Sequence, residues 1–318
     1  MKKKLLGSLI GLMAIGLLVT GCGSDKSGAK QAESTKPQEE FITIKDQQQE
    51  EVKIKKDLTS VVVFDMGSLD TMDELGEGSK VVGVPTQNLP NYLKSYDKTE
   101  SVGGIKEPDL EKINQLQPDL IIISGRQEDF KEQLSRIAPT IYLGVDSTRV
   151  FQSTSENIQT IGKIFGKEQQ AKKEISQLET AIQQVKQQAE KSNRRTLMTL
   201  VNEGKLSAFG EGSRFAIVHD TFGFKQADDK IEASTHGQSV SYEYVLDQNP
   251  DVIFVVDRTK AIGGDDSHNH VAENELVKQT VAGKENRVIS LQPDVWYLSG
   301  GGLQSTKLML DDVKKGLE

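Results

Sequence analysis

Two arginines stand directly after apolar runs that we predict to be buried strands. Arg126 follows the run 120–124, and Arg258 follows the run that begins at Val252. In open α/β sheets, ligands bind beyond the carboxyl ends of the strands. The chain has eight arginines against thirty-one lysines, so an arginine at both points is unusual. A guanidinium is permanently charged, forks onto oxyanions and stacks on aromatic rings, so we predict an anion-binding site there.

Three further residues could join that chemistry. Arg214 lies in a glycine-rich turn, 210–215, that we predict to open a helix. His236 lies in a polar loop, and Tyr297 lies beside the only tryptophan, after a strand predicted over 288–291. Taken alone, a loop histidine is usually a surface residue and a tyrosine beside a tryptophan usually packs. The residues by themselves therefore leave a structural role open.

A second loop, 263–270, contains His268 and His270 together with two aspartates. This composition could indicate a metal site, but a zinc or manganese site needs three or four convergent His and carboxylate ligands. The loop has no partner motif and is rich in Gly and Asp. We therefore interpret it as a solvated loop.

Several classes of chemistry lack the residues they need. The sequence has no Gly-x-Ser-x-Gly nucleophile elbow, no His-Glu-x-x-His motif, no phosphate-binding loop with Lys and no dinucleotide-binding glycine fingerprint. A single cysteine excludes intramolecular disulfides and iron–sulfur clusters. The net charge of −8 argues against nucleic acid as a partner. We expect a binding protein and not an enzyme.

The two strand-end arginines belong to an internal repeat. Pro118 and Pro250 are 132 residues apart, Glu111 and Glu243 have the same separation, and so do the two arginines. A helix, a Pro-Asp pair, a buried strand and a terminal arginine that recur in register predict two lobes of related architecture. Glu111 and Glu243 would then occupy equivalent positions on the helix before each strand.

Alternating strand and helix signals predict an α/β fold with mostly parallel sheets. An edge hairpin is predicted over 41–55. A long helical stretch, 167–191, carries an apolar stripe that steps by three and four residues: Ala171, Ile175, Leu178, Ile182 and Val185. We therefore expect two Rossmann-like lobes, 41–166 and 193–318, joined by one long backbone helix, 167–192.

The N-terminus carries an export signal. Three lysines precede an apolar run, 5–19, that is short for a bilayer span but suits a signal peptide. The run ends in Val-Thr-Gly-Cys22, which resembles a bacterial lipobox, whose cysteine is lipidated and becomes the first mature residue. A plain secretory signal is the alternative, but Cys22 is the only cysteine. We expect a signal peptide over 1–21, a flexible tether over 22–40 and a lipid anchor on the extracytoplasmic face of the membrane.

The mature chain resembles the ferric-siderophore-binding lipoproteins of Gram-positive ABC importers, a helical-backbone (class III) group of substrate-binding proteins. It looks closest to their petrobactin-binding branch, which also takes tetradentate bis-catecholate iron complexes. The resemblance is strongest in the segments 61–70, 121–127, 234–244 and 296–303. The residues that match the branch's three cleft arginines and its two direct iron ligands are Arg126, Arg214, Arg258, His236 and Tyr297.

The resemblance also implies partners. The chain would hold no permanent cofactor, bind a ferric siderophore as cargo and act as a monomer that delivers it to an ABC permease dimer with its ATPase. Glu111 and Glu243 would dock onto arginines of the two permease subunits.

The chemistry of ferric iron fits this residue set. Fe(III) is a hard cation that prefers six ligands, mainly anionic oxygens. Two catecholates supply four donors, so a phenolate and an imidazole could fill the two remaining positions, and three guanidiniums could offset the negative charge of the complex. A cobalamin or haem binder of the same fold is the nearest alternative. A lipid-anchored enzyme is less favoured, because no nucleophile or acid–base pair is evident.

Overall fold

The computed structural model describes residues 39–318, which form one compact unit. The predicted signal peptide, Cys22 and most of the predicted tether lie outside the described residues. Within residues 39–318, no helix is both long and apolar enough to cross a membrane.

The described chain begins with a hairpin of β1 (Phe41–Lys45) and β2 (Glu51–Lys55), which pair antiparallel. The predicted hairpin is confirmed, but its placement at a sheet edge is wrong, because the two strands form a sheet of their own. Its turn is held by side-chain and backbone contacts instead. The Asp46 carboxylate accepts from the backbone N–H of Tyr142 at 3.1 Å, which ties the turn to the end of a strand of the next sheet.

A parallel sheet forms the centre of the N-terminal lobe. Its strands are β3 (Val61–Val63), β4 (Val81–Val84), β5 (Glu100–Ser101), β6 (Leu120–Ile123) and β7 (Thr140–Tyr142). The helices of this lobe are α1 (Met66–Glu74), α2 (Leu110–Leu116), α3 (Lys131–Ser135) and α4 (Val150–Ile164). The strand order is β5-β4-β3-β6-β7, and β3 and β6 are buried at every residue, as expected for central parallel strands.

The long helix α5 (Glu168–Ser192) leads from the first lobe to the second. All five residues of the predicted apolar stripe are buried, and Ala189 extends the stripe by one more turn. Asn193 ends the helix in the left-handed conformation, at φ 51°. The expected fold class, two α/β lobes joined by one backbone helix, is confirmed. The lobe boundaries at 166 and 193 stay a prediction.

The second sheet forms the centre of the C-terminal lobe. Its strands are β8 (Arg195–Asn202), β9 (Lys205–Phe209), β10 (Lys225–Gln226), β11 (Gln238–Val240), β12 (Val252–Asp257) and β13 (Val288–Ser290). The helices are α6 (Tyr242–Gln248), α7 (Arg258–Ala261), α8 (Val281–Lys284), α9 (Pro293–Leu298) and α10 (Leu303–Lys314).

This second sheet mixes parallel and antiparallel pairs. Its order is β11-β9-β8-β12-β13, with β10 beside β8. β8 and β9 are antiparallel because only Glu203 and Gly204 separate them, and both have positive φ, at 51° and 75°. Two central residues with positive φ form the tight turn that joins antiparallel neighbours. The expectation of a mostly parallel sheet therefore fails at β9 and β11.

The repeat is visible in three dimensions. Helices α2 and α6 both end at a left-handed residue, Gln117 at φ 46° and Asn249 at φ 44°, and a proline follows each. The next residue is an aspartate in both lobes. Asp119 Oδ2 accepts from the backbone N–H of Thr59, and Asp251 Oδ2 from that of Arg195, both at 2.8 Å. The same device thus aligns the start of two neighbouring strands in each lobe.

Candidate ligand-binding cleft

Arg126 and Arg258 stand at the carboxyl ends of equivalent central strands. Arg126 lies in a short 3-10 segment, Gly125–Phe130, that follows β6, and Arg258 is the first residue of α7, directly after β12. The residue after each arginine is buried, and its side chain accepts a hydrogen bond from a backbone N–H group. Gln127 accepts from the Ser124 N–H at 3.1 Å, and Thr259 Oγ1 accepts from the Glu203 N–H at 3.0 Å. Both arginines are therefore carried by rigid strand ends.

Arg214 lies in the turn after β9. The helix expected after that turn is a short π-helix, Ile217–Thr221. The turn is closed by the Ser213 hydroxyl, which donates to the Gly210 carbonyl oxygen. The backbone N–H of Arg214 donates to the Ser234 carbonyl oxygen at 3.4 Å, so this turn is joined to the loop that precedes β11.

Tyr297 lies near the C-terminal end of α9 and is positioned by its neighbour. Trp296 is only 2% exposed, and its indole N–H donates to Asp312 Oδ2 at 3.0 Å, which attaches α9 to α10. With Trp296 turned into the core, the adjacent Tyr297 is half-buried. Sequence placed Tyr297 after a strand, and the structure puts it on this short helix.

The three arginines converge on Tyr297. Arg126 Nη2 and Arg214 Nη2 each donate to its main-chain carbonyl oxygen at 2.7 Å. Arg258 Nε donates to its hydroxyl oxygen at 2.8 Å. The Arg214 guanidinium also lies over the tyrosine ring, 4.3 Å from the centroid, and 5.4 Å from the Phe215 ring centroid. Three cations from two lobes are thus gathered around one residue.

This concentration of charge affects ionisation. Burial lowers the pKa of Arg126 and of Arg214, and the charges of Arg126 and Arg258 lower the pKa of Arg214 further. Arginine nevertheless stays protonated in proteins, so the cluster carries a positive charge that is costly to hold together. An anion placed here would relieve that cost.

The pKa of Tyr297 is lowered as well, but for a tyrosine this shift favours the charged form. Burial raises the pKa of Tyr297, but the hydrogen bond from Arg258 and the charges of Arg214 and Arg258 outweigh burial, and the net pKa falls below its ordinary value. The phenolate form of Tyr297 is therefore more accessible than that of a free tyrosine. A phenolate oxygen is a suitable ligand for a hard cation.

His236 is exposed, and the contacts that gather the arginines do not include it. Its backbone N–H donates to Ser234 Oγ at 3.1 Å, and Ser234 is the residue whose carbonyl oxygen bonds Arg214. The histidine therefore lies on a loop joined to the Arg214 turn. Strand β11 separates it from helix α6, which sequence had placed directly after this loop.

Two residues at strand ends were missed by sequence reasoning. Asp65 caps α1 after β3 and accepts from the backbone N–H of Ser68 at 2.8 Å. Burial raises the pKa of Asp65, while the nearby charge of Arg126 opposes that rise. Asn202 ends β8 and accepts from Arg258 Nη1 at 2.7 Å. Both could have been found by the rule that selected the arginines, namely that ligands bind beyond the carboxyl ends of the strands.

The loop 263–270 braces neighbouring strand ends. Asn269 donates to Asp257 Oδ1 at 2.8 Å and accepts from the Gly204 N–H at 2.8 Å. Within residues 39–318, no group of three or more His, Cys, Asp or Glu side chains is placed to hold a metal ion.

Glu111 and Glu243 are both exposed and stand in the first turn of α2 and α6. Each helix is capped by the side chain two residues before the glutamate: Asp109 accepts from Lys112 N–H at 2.9 Å and Ser241 from Tyr244 N–H at 3.2 Å. The two glutamates therefore have equivalent settings in the two lobes.

Comparison with known proteins gives concordant matches. A sequence model of the periplasmic binding protein family matches residues 61–295. The petrobactin-binding protein YclQ of Bacillus subtilis (strain 168) is 48% identical over 305 residues, covering 95% of each chain. The ferric-anguibactin-binding protein FatB of Vibrio anguillarum is 31% identical over 267 residues, covering 81% of this chain and 82% of FatB.

Solved structures agree with the sequence matches. The crystal structure of YclQ from Bacillus subtilis superposes with a TM-score of 0.86 at 50% identity and covers 88% of this chain and 99% of YclQ. The periplasmic catecholate-siderophore-binding protein VctP of Vibrio cholerae superposes with a TM-score of 0.81 at 31% identity and covers 86% of this chain and 99% of VctP.

Proposed function

We propose that this chain, which belongs to the periplasmic binding protein family, is an extracytoplasmic substrate-binding protein. In this proposal it captures a ferric catecholate-type siderophore, petrobactin-like or bis-catecholate, between its two lobes and delivers it to an ABC importer. The similar proteins are named for binding petrobactin, ferric anguibactin and catecholate siderophores. No enzyme is among these relatives.

The observation that carries the proposal is the convergence of Arg126, Arg214 and Arg258 on Tyr297. Two catecholates bring four negative charges, and Fe(III) brings three positive charges, so the complex is anionic. Guanidinium hydrogen bonds to charged catecholate oxygens are the stronger, charge-assisted kind. The stacking of Arg214 on Tyr297 indicates that these cations also tolerate an aromatic ring on their faces, which a catechol supplies.

The iron itself would be cargo. A tetradentate ligand leaves two coordination positions of Fe(III) open, and Tyr297 and His236 are the residues proposed to fill them. The lowered pKa of Tyr297 supports its role, because the phenolate is the form that binds iron. The exposed His236 lies on a loop that is joined to the Arg214 turn through Ser234, and this connection supports its role. A hexadentate siderophore would need neither residue.

The remaining parts of the proposal concern anchoring and transport. We propose lipidation at Cys22, a lobe division at 41–166 and 193–318 around the backbone helix 167–192, and a monomer without a permanent cofactor. Glu111 and Glu243 are proposed to dock onto the permease subunits, which themselves work with an ATPase. Their equivalent, exposed positions in the first turns of α2 and α6 support that role.

Trp296 provides the test. It is the only tryptophan and the neighbour of Tyr297, so a bound ferric chromophore should quench its fluorescence. We expect saturable quenching with ferric bis-catecholates and ferric petrobactin, and recovery of the ligand unchanged after binding. Ferric hydroxamate is the matched control. Selective binding of cobalamin or haem, or conversion of the ligand, would replace the proposal with the corresponding alternative.

A further inference from the structure

Asn202 contacts Arg258 of the arginine cluster. It is the one residue that its strand, β8, contributes to this cluster. Its amide oxygen lies 2.7 Å from Arg258 Nη1 and 3.5 Å from the Thr259 hydroxyl. Asn202 is the last residue of β8, which pairs parallel with β12 so that Val201 faces Asp257. The register therefore brings the two residues that follow this pair side by side at the same sheet edge: Asn202 at the end of β8 and Arg258 at the start of α7.

The guanidinium of Arg258 is held at two separate nitrogens. Nη1 donates to Asn202, and Nε donates to the Tyr297 hydroxyl oxygen at 2.8 Å. A single hydrogen bond would leave the planar group free to turn about that contact, whereas two contacts to different elements define its plane. Among residues 39–318, Arg258 Nη2 donates to no protein acceptor, so the two contacts leave this nitrogen for a ligand.

The neutrality of the asparagine is chemically significant. Because a guanidinium has donors only, the oxygen of the Asn202 amide must face it. A carboxylate at this position would also orient Arg258, but it would neutralise the charge that an anionic ligand needs. An amide orients the arginine and leaves its charge uncompensated.

We propose that Asn202 is a positioning residue for anion recognition, which holds Arg258 in the orientation that bonds Tyr297 and presents Nη2 to the ligand. The inference rests on the proposed function for its binding consequence. Its structural part, the orientation of Arg258, is measurable without any siderophore.

The first test uses the ligand-free protein. With eight arginines in the chain, the Nε–H resonances can be resolved by ¹⁵N NMR, and Arg258→Gln identifies the signal of Arg258. We expect Asn202→Leu to shift or broaden that signal and Asn202→Asp to restore it. Thr199→Val is the matched control, because it removes a buried hydrogen bond from the same strand that does not involve Arg258. An unchanged Arg258 signal in Asn202→Leu would overturn the proposal.

The second test measures affinity for a ferric bis-catecholamide. We expect Asn202→Leu to weaken binding about 5-fold, in the range of one hydrogen bond, and to have no further effect in an Arg258→Gln background. Asn202→Asp should also bind more weakly, because it restores the orientation but adds negative charge. Additive losses in the double variant would overturn the proposal.

Folding is checked separately. Asn202→Ala, which introduces no larger side chain, should repeat the Asn202→Leu results with a native thermal transition. If wild-type protein binds no ferric catecholate, the proposed function fails, while the Arg258 resonance still decides whether Asn202 positions that arginine.

Discussion

Arg126 and Tyr297 belong to different lobes, yet Arg126 Nη2 donates to the Tyr297 carbonyl oxygen at 2.7 Å. Arg126 Nη1 also lies 3.4 Å from the carbonyl oxygen of Leu298, the last residue of α9. Carbonyls at a helix C-terminus lack partners within the helix and carry partial negative charge. The helix end therefore offers the arginine of the opposite lobe the kind of acceptor that a ligand oxyanion offers, and a ligand has to compete with it.

Each of three single variants should weaken ferric bis-catecholate binding about 10- to 150-fold. The variants are Arg126→Gln, Arg214→Gln and Arg258→Gln. The reason is that a lost charge-assisted hydrogen bond is worth about 1.5–3 kcal/mol. The thermal midpoint should change little. Titration by Trp296 quenching measures the loss, and Arg136→Gln, an exposed arginine paired with Glu132, is the control. Wild-type affinity in all three variants would mean that the ligand binds elsewhere.

Direct iron ligation predicts a dependence on ligand denticity. With a tetradentate siderophore, His236→Ala and Tyr297→Phe should each weaken binding and shift the ligand-to-metal charge-transfer band, because each removes an iron ligand. With a hexadentate siderophore the coordination shell is already full, so both losses should be much smaller. Visible absorption spectra of each of the two variants with each of the two ligands provide the measurement. Equal losses with both ligands would limit these residues to packing or hydrogen bonding.

The repeat made much of this arrangement predictable. Because strand-end residues of a parallel sheet meet at one edge, the register that relates Arg126 to Arg258 indicated two equivalent positions, and the structure brings both arginines to Tyr297. The buried stripe of α5 was equally clear, since a spacing of three and four residues defines one helix face.

Other features depend on contacts that residue types do not encode. Arg126 and Arg214 share a main-chain carbonyl oxygen, a group that every residue carries, so no side-chain pattern predicts it. Asn202 is positioned by the pairing of β8 with β12, which sequence separation conceals. The antiparallel strand β9 depends on positive φ at Glu203, a residue that rarely adopts that conformation.

Asp70 predicts a pH dependence of stability. This buried carboxyl of α1 accepts from the backbone N–H groups of Gln304 and Ser305, at 3.2 and 3.0 Å, in the first turn of α10. Burial raises the pKa of Asp70 to about 7. Between about pH 4 and 7 the folded chain therefore holds a proton that the unfolded chain, with a carboxyl pKa of about 3.9, has lost. The contribution of Asp70 to the free energy of unfolding accordingly decreases as pH rises through this window.

The comparison with Asp70→Asn isolates that contribution. The free energy of unfolding of wild type minus that of the variant should fall by up to about 1.4 kcal/mol per pH unit in the window and then level off. Urea unfolding at several pH values from 4 to 8 measures it, with the exposed Asp129→Asn as control. A difference that is constant or rises with pH would contradict the raised pKa.

Lipid anchoring predicts a change in location alone. Cys22→Ala removes the residue that would carry the lipid, and the polar segment 22–40 has no other membrane-seeking stretch. The variant should therefore be released into the medium with unchanged siderophore affinity. Fractionation and immunoblotting measure the release, with wild-type protein as the membrane-bound control. Full retention of the variant in the membrane fraction would contradict lipidation at Cys22.

The two lobes should engage the permease through their equivalent glutamates. Glu111 and Glu243 are exposed in the first turns of α2 and α6, and neither takes part in the arginine contacts around Tyr297. An exposed ion pair contributes less than about 1 kcal/mol, so one glutamate alone would grip weakly. Two pairs carried by one folded chain gain from effective concentration, because the second forms intramolecularly once the first has formed.

Reversing both charges should therefore abolish uptake without affecting capture. The double variant Glu111→Lys with Glu243→Lys should fail to support ferric-siderophore import in cells, whereas the purified protein should bind the siderophore with wild-type affinity. Each single variant should retain part of the import, because one lobe still engages. The control is Glu132→Lys with Glu275→Lys, which reverses two exposed glutamates outside these helices. Radioactive iron uptake at matched surface abundance is the measurement, and normal uptake by the first double variant would remove both glutamates from the transport interface.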